Sequence, residues 1–155
     1  MASTIFAWMV FGWLWALPRY YEWKQENTPV DNNIREMVFE DGTVYSGTIH
    51  NDLPDGVGNA TQVDGTVYSG QWRYGLRDGF GTETYAESGD VYIGEWNYDE
   101  WEGEGILLFG ATGNRYAGQF QRGAPNGFGQ YNTVDGIIYT GHLRNSMYDG
   151  QGHLT

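Results

Sequence analysis

The feature that most constrains this fold is a motif that returns five times at an almost constant interval. Each copy opens with Tyr-x-Gly-x-apolar, and the spacing between successive copies is 23, 24, 24 and 23 residues. A repeat this short forms one supersecondary unit, which buries its apolar face only by stacking on its neighbours. The five opening tyrosines are Tyr45, Tyr68, Tyr92, Tyr116 and Tyr139.

A Gly-x-Gly sequence follows each opening tyrosine at a constant distance of 11 residues, beginning with Gly56 in the first copy and Gly150 in the last. Between copies the chain carries Asp-Gly, Ser-Gly or Thr-Gly. Asp-Gly indicates a tight turn because glycine adopts positive φ without steric cost. Each repeat is therefore expected to be a β-hairpin, and the next hairpin follows after a turn.

The alternation of side chains between the two faces of a strand explains why glycine recurs at fixed positions. Tyr68, Gly70 and Trp72 are expected on one face of a strand, and Gly79 and Gly81 on one face of its partner. A row of glycines leaves room for aromatic rings to lie flat over the backbone, and the buried rings offset what glycine loses in strand stability. Such packing needs no second layer.

The pattern Tyr-x-Gly-x-Trp followed by Gly-x-Gly resembles the MORN (membrane occupation and recognition nexus) repeat. The resemblance covers residues 42–155 and implies a mainly β fold, a single-layer twisted antiparallel sheet that grows by one hairpin per repeat. Ten strands at roughly 4.8 Å would give a rod about 48 Å long. The predicted repeats are residues 42–64, 65–88, 89–112, 113–135 and 136–155.

The N-terminus differs sharply from the repeats. Residues 1–18 contain no ionisable side chain, and as a helix they would span about 27 Å, close to the roughly 30 Å hydrocarbon core of a membrane. We predict a hydrophobic, membrane-anchoring helix over residues 1–23, bordered by aromatic and basic side chains typical of a membrane boundary. The anchor residues are Ile5, Phe6, Trp8, Met9, Val10, Phe11, Trp13, Leu14, Trp15 and Leu17.

Three other interpretations of the N-terminus stay open: docking into a partner's groove, a buried helix of a soluble core, and a cleaved signal peptide. The last lacks the expected basic n-region. Residues 24–41 are predicted to be a linker and a half-repeat cap, because residues 24–35 are polar and residues 37–39 occupy the place of a preceding repeat's closing strand. The final strand is expected to have an open edge covered by another subunit.

Charge and composition exclude several function classes. The chain has no cysteine and a net charge of −12, which repels nucleic acid. The chain has three histidines, His50 in the first repeat and His142 and His153 in the last, and they show no catalytic pattern. The last two can approach across the final hairpin. Gly-x-Gly lies within strands, unlike a phosphate-binding loop. We expect no enzyme activity, cofactor or small-molecule substrate.

The predicted partner-binding residues form an aromatic stripe with one additional tryptophan. Trp101 is interpreted as an exposed anchor in an acidic loop that would select a basic partner; a solvated loop and a calcium site remain alternatives. The loop's carboxylates are Glu95, Asp99, Glu100, Glu102 and Glu104. The stripe comprises Tyr45, Tyr68, Trp72, Tyr92, Trp96, Tyr116, Phe120 and Tyr139.

These features predict a non-catalytic accessory subunit of a membrane protein complex that binds neighbouring subunits through its repeats and lipid through its N-terminal helix. Residues 42–155 carry 5 basic and 14 acidic side chains, net 5 − 14 = −9, so anionic lipid should be repelled by the repeats. The alternatives are a peripheral membrane-tethering or phospholipid-recognising scaffold and a regulatory module of an enzyme on another chain. The mitochondrial inner membrane is the working hypothesis for location, followed by the thylakoid.

Overall fold

The computed structural model describes residues 34–155. This part of the chain is one antiparallel sheet in which every strand pairs with the strands next to it in sequence. The strands are β1 Ile34–Val38, β2 Val44–His50, β3 Leu53–Thr61, β4 Val67–Arg73, β5 Leu76–Thr84, β6 Val91–Asn97, β7 Glu100–Leu108, β8 Arg115–Gln121, β9 Ala124–Asn132, β10 Ile138–Arg144 and β11 Met147–Leu154.

The predicted single sheet of repeated hairpins is confirmed, but it has 11 strands rather than ten. The additional strand is β1, which pairs with β2 and brings Met37 opposite Tyr45. The Arg35 guanidinium donates a hydrogen bond to the Ile49 carbonyl at 2.8 Å. Ile34 and Arg35, which the polar composition assigned to a linker, are therefore part of the sheet.

Two kinds of turn join the strands. Within each hairpin two residues connect the strands, and all ten of these residues have positive φ, between 48° and 85°. Positive φ at both positions is the signature of a type I′ turn, whose twist matches that of paired strands. Longer turns join one hairpin to the next. There Asp64 Oδ1 accepts a hydrogen bond from the Thr66 amide at 2.8 Å, as the Asp-Gly signal predicted.

The core of the sheet lies on one face. Its buried residues include all five opening tyrosines and the side chain four positions after each, for example Trp72 and Trp96. We call this the ring face, and the opposite one, which carries Thr48, Gln71, Glu95, Gln119 and His142, the outer face. Rings packed over backbone supply the core that a second layer supplies in most sheets.

Within residues 34–155 no helix has the length and apolar character needed to cross a membrane. The predicted anchor helix, with all of its anchor residues, lies outside the described residues.

Candidate interaction surfaces

The contact that builds the ring face is a tyrosine lying over two glycines. Gly70 and Gly81 are directly opposite each other on β4 and β5, and a methyl group on either would overlap the Tyr68 side chain. The Tyr68 hydroxyl reaches across to donate a hydrogen bond to the Gln71 carbonyl at 2.9 Å. Trp72 packs edge-on against Tyr68, with ring centroids 5.2 Å apart. Glycine is therefore required here for space.

The same contact recurs in every hairpin. Each opening tyrosine donates to the carbonyl of the residue three positions later, at 2.8–3.1 Å. Burial raises the pKa of Tyr45 to about 12 and also raises the pKa of Tyr92 and Tyr116. These phenols stay protonated at neutral pH and keep donating.

The two glycines of a Gly-x-Gly face opposite sides of the sheet, which corrects the expectation that both face the rings. In the second hairpin the Cβ site of Gly81 meets Tyr68, whereas that of Gly79 meets Gln71. A register shift makes Gln71 alone oppose residues 78–80. Gly79 has a φ of 105°, so the side of the backbone where its Cβ would stand faces Gln71 on the outer face. The amide of Phe80 donates to Gln71 Oε1 at 2.8 Å, so Gln71 satisfies a group that the bulge withdraws from the ladder.

The aromatic stripe predicted to bind partners lies inside the sheet's own core. Its eight residues have relative exposures between 0 % and 8 %. Rings this deeply buried stabilise the sheet, and they present little surface to another molecule. A partner would meet the residues around them.

Trp101 is not the exposed loop tip that its sequence context indicated. It lies in β7, is half-buried, and stacks on Tyr92 with centroids 4.4 Å apart and planes 11° apart. It also packs edge-on against Phe120 at 5.8 Å. The carboxylates do not form a ring around it, because Glu95 and Glu104 lie on the outer face. Trp101 is therefore a member of the ring-face core.

The outer face brings two of these carboxylates together. Burial raises the pKa of Glu104, and the neighbouring Glu95 raises it further, against a hydrogen bond with Gln119 that lowers it. No group of three or more His, Asp or Glu side chains in residues 34–155 has an arrangement that could hold a metal ion.

An ionic network that includes the buried Glu83 occupies the ring face at the second hairpin, and it was not predicted from the sequence. Arg77 takes the place that Trp101 has one repeat later, opposite a core tryptophan. Its Nη1 lies 2.6 Å from Glu83 Oε1, and its Nε lies 2.9 Å from Asp99 Oδ1. The guanidinium lies over the Trp96 ring, 4.4 Å from its centroid.

Glu83 is the unusual member of this network because it is only 1 % exposed. It pairs with Tyr68, at the position where Ala60 and Leu107 stand in adjacent repeats. Tyr85 donates its hydroxyl hydrogen to Glu83, and burial, followed by this bond, raises the Tyr85 pKa. A charged residue at an otherwise apolar repeat position is the signal that would have located the network.

Exposed apolar side chains lie at the hairpin turns of the first three repeats, and again after the last turn, where Met147 and Tyr148 are 69 % and 62 % exposed. We call Leu53, Tyr74, Leu76 and Tyr98 the turn patch; their exposures are 43 %, 71 %, 37 % and 64 %. Hydrogen bonds join successive turns, from the Gly75 amide to the Pro54 carbonyl at 2.8 Å and from the Asp99 amide to the Arg77 carbonyl at 3.0 Å. The turns are therefore held at a fixed spacing.

The fold defines a β-repeat protein with a single-layer sheet whose aromatic core packs on the sheet's own backbone. The family model described as MORN repeat matches the chain five times, at residues 45–67, 68–89, 92–111, 116–137 and 139–155. The chain belongs to the MORN repeat family, as the spacing of its tyrosines and glycines indicated. MORN repeats are typical of scaffolds that interact with proteins or membranes.

Two further comparisons add little. A search of curated protein sequences finds no match. Among solved structures, the chain is similar to the SAS-4 (dCPAP) TCP domain in complex with a proline rich motif of Ana2 (dSTIL) of Drosophila melanogaster. The identity is 12 % and the TM-score 0.28, over 83 % of this chain and 92 % of that one. A TM-score this low supports no argument about binding.

Proposed function

We propose that this protein is a non-catalytic accessory subunit of a membrane protein complex, anchored through residues 1–23 and binding neighbouring subunits through its MORN sheet. The protein-binding part of this proposal rests on a difference between two surfaces of the sheet. On the ring face the aromatic rings are buried against the sheet's own backbone, whereas at the turn edge, the edge formed by the five hairpin turns, apolar side chains are exposed. An exposed cluster of large apolar residues on a rigid frame is typical of a surface that meets another protein. An energy-converting membrane, with the mitochondrial inner membrane first, remains the working hypothesis for its location.

The arginines favour a protein partner over anionic lipid. Of the five arginines in residues 42–155, three form ion pairs within the sheet: Arg73 with Asp78, Arg77 with Glu83 and Asp99, and Arg144 with Asp149. Pairing leaves little positive charge available for phosphate. Residues 42–155, with a net charge of 5 − 14 = −9, are repelled by an anionic membrane surface.

The titratable groups support a non-catalytic role. Arg77, Glu83 and Tyr85 form the densest cluster on the ring face, and the Glu83 side chain is only 2 % exposed. A reacting carboxylate must be reachable by substrate, whereas this one is enclosed by its own partners. Through the ion pair between Arg77 and Asp99, the cluster joins the second repeat to the third.

Purification of the tagged full chain from its native membrane in mild detergent tests this proposal. Other subunits should co-purify in constant ratio, and deletion of residues 1–23 should release the protein from the membrane. If the truncated chain still floats with anionic liposomes, the repeats themselves bind lipid and the assignment of the anchor is wrong. Recovery of the full chain alone, under conditions that preserve other complexes, would contradict the subunit role.

A further inference from the structure

The turn patch has a feature that packing does not explain. Tyr74 and Tyr98 occupy the first turn position with φ values of 51° and 48°, a left-handed conformation that is unfavourable for a bulky side chain. The same position holds Asn51 and Asn145 in the first and last repeats, and asparagine tolerates this conformation well. Since both tyrosines are more than 60 % exposed, the strain is not repaid by burial.

The electrostatic surroundings of the two tyrosines are acidic. The turn segments of the first three repeats, residues 50–55, 73–78 and 97–102, contain two arginines and six carboxylates, net 2 − 6 = −4. The corresponding segments of the last two repeats, residues 121–126 and 144–149, contain two arginines and one carboxylate, net 2 − 1 = +1. At the first turn position, tyrosine and acidic charge therefore coincide at the same end of the sheet. The last repeat also has an exposed tyrosine, Tyr148, but it lies beyond the turn and packs on Tyr139 with ring centroids 4.1 Å apart.

From this coincidence we infer that the turn patch docks a basic segment of a partner protein through arginine side chains that lie over Tyr74 and Tyr98 and pair with the surrounding carboxylates. The inference names a partner class for the scaffold proposed above and rests on its protein-binding role. Arginine fits better than lysine because its planar guanidinium stacks on a ring and bonds a carboxylate at the same time.

The protein already contains this arrangement within its own fold. Arg77 lies over Trp96 while it bonds Asp99 and Glu83. Outside the core, an exposed ring and nearby carboxylates offer the same two interactions to an arginine that arrives from another chain.

The spacing of the turns sets the spacing of the arginines. Successive turns are separated by two strands, roughly 10 Å, and the hydrogen bonds between turns hold that distance. Three residues of extended chain also span roughly 10 Å. Arginines three residues apart in an extended segment can therefore reach Tyr74 and Tyr98 together.

Peptide binding to the full chain in detergent micelles tests the inference. The probe is a fluorescent peptide of three Arg-Gly-Ser units, compared by anisotropy with peptides in which lysine or glutamine replaces arginine. We expect the arginine peptide to bind about fivefold more tightly than the lysine peptide, and the glutamine peptide not to bind. Equal binding of the arginine and lysine peptides would reduce the effect to general charge attraction and overturn the inference.

The decisive variant is Tyr74→Asn with Tyr98→Asn, because asparagine suits the left-handed turn and the protein should stay folded. It should weaken arginine-peptide binding about tenfold. The matched control is Val63→Asn with Val134→Asn, two side chains 77 % and 68 % exposed in the turns at the opposite edge, and its affinity should stay within about twofold of wild type. Equal losses in the two variants would overturn the inference.

A second pair of variants separates the local charge from the net charge. Glu100→Gln with Glu102→Gln should weaken binding about threefold, whereas Glu87→Gln with Asp135→Asn, the same change at the opposite edge, should have a smaller effect.

If the tyrosine variant instead dissociates a dimer of the chain in sedimentation, the occupant is a second copy and the inference fails. If other subunits co-purify with the chain but the chain binds none of the peptides, the proposed function stands and this partner class is refuted.

Discussion

The ring face and the turn edge of this sheet follow opposite rules. The ring face repeats one contact in all five hairpins, a tyrosine over two glycines with its hydroxyl on a carbonyl. The turn edge is not constant: its first position is Asn51, Tyr74, Tyr98, Arg122 and Asn145 in turn. The constant surface makes the sheet, and the variable surface distinguishes one end of it from the other.

The largest effect should come from breaking the ring face. Tyr92 is fully buried and contacts Trp101, Trp96 and Phe120 with ring centroids 4.4–5.3 Å away. Tyr92→Ala should lower the free energy of unfolding by about 3–5 kcal/mol, as large-to-small changes of buried aromatic residues do. Chemical denaturation measures this loss.

The matched control is Tyr98→Ala, which removes an equal side chain from the turn edge. Since Tyr98 is 64 % exposed, the free energy of unfolding should change by no more than about 0.5 kcal/mol. Comparable losses at the two sites would mean that the turn edge is structural, and the contrast between the two surfaces would disappear.

A smaller effect is expected from two glycines that are constrained in different ways. A methyl group at Gly58 would overlap the Tyr45 ring, whereas Gly123 has a φ of 77° and no heavy atom near the site of a Cβ. Gly58→Ala should cost about 3 kcal/mol through overpacking, and Gly123→Ala about 1 kcal/mol through backbone strain alone. Thermal unfolding of both variants checks the order; if Gly123→Ala costs more, space is not what the ring face requires.

The repeat period was sufficient to predict the ring face but not the bulge inside each hairpin. Tyr68 and Trp72 were assigned correctly to one face because alternation is a property of any strand. Gly79 was misplaced because one residue, Gln71, opposes three, and strict alternation cannot represent that shift. An outer-face side chain accepts a hydrogen bond from the backbone amide that the bulge leaves without a ladder partner. This residue is Thr48 in one hairpin and Gln71 in another, so no fixed sequence motif marks the position.

The environment of Trp101 was predicted wrongly for a related reason. Its neighbours in sequence are carboxylates, but its neighbours in space are Tyr92 and Phe120 from other strands. The ion pair between Arg77 and Glu83 likewise depends on cross-strand register. Local composition therefore describes the turn edge, where residues act singly, better than the core, where contacts cross strands.

A stabilising effect is predicted at the turn edge. Tyr74→Asn should raise the free energy of unfolding by about 0.5–1 kcal/mol, because asparagine adopts the left-handed conformation more readily than tyrosine. The reverse exchange, Asn51→Tyr, should lower it by a similar amount, and denaturant midpoints with unchanged slopes would report both. A loss of stability in Tyr74→Asn would show that the ring contributes to folding, which would remove the main argument that its strain serves binding.

The smallest effect concerns the outer face, where Glu104 lies near Glu95. Burial first, and then the Glu95 charge, raises the pKa of Glu104 above its usual 4.5. Stability from such a group is fully present below the unfolded pKa and is lost as the pH rises through the folded pKa. Glu104→Gln should therefore match wild type near pH 4 and exceed it at pH 7 by about 0.5 kcal/mol, a small gain because the side chain is partly exposed and solvent screens its charge.

Glu87→Gln, at an exposed turn position, is the control for this pH dependence, because it changes the net charge equally without a carboxylate neighbour across the ladder. Its stability relative to wild type measures the effect of removing one negative charge from the chain over the same pH range. If both variants gain stability as the pH rises, the effect belongs to the overall negative charge of the chain. If only Glu104→Gln gains, the cause is local: the burial of the Glu104 carboxylate on the outer face and, after it, the charge of Glu95.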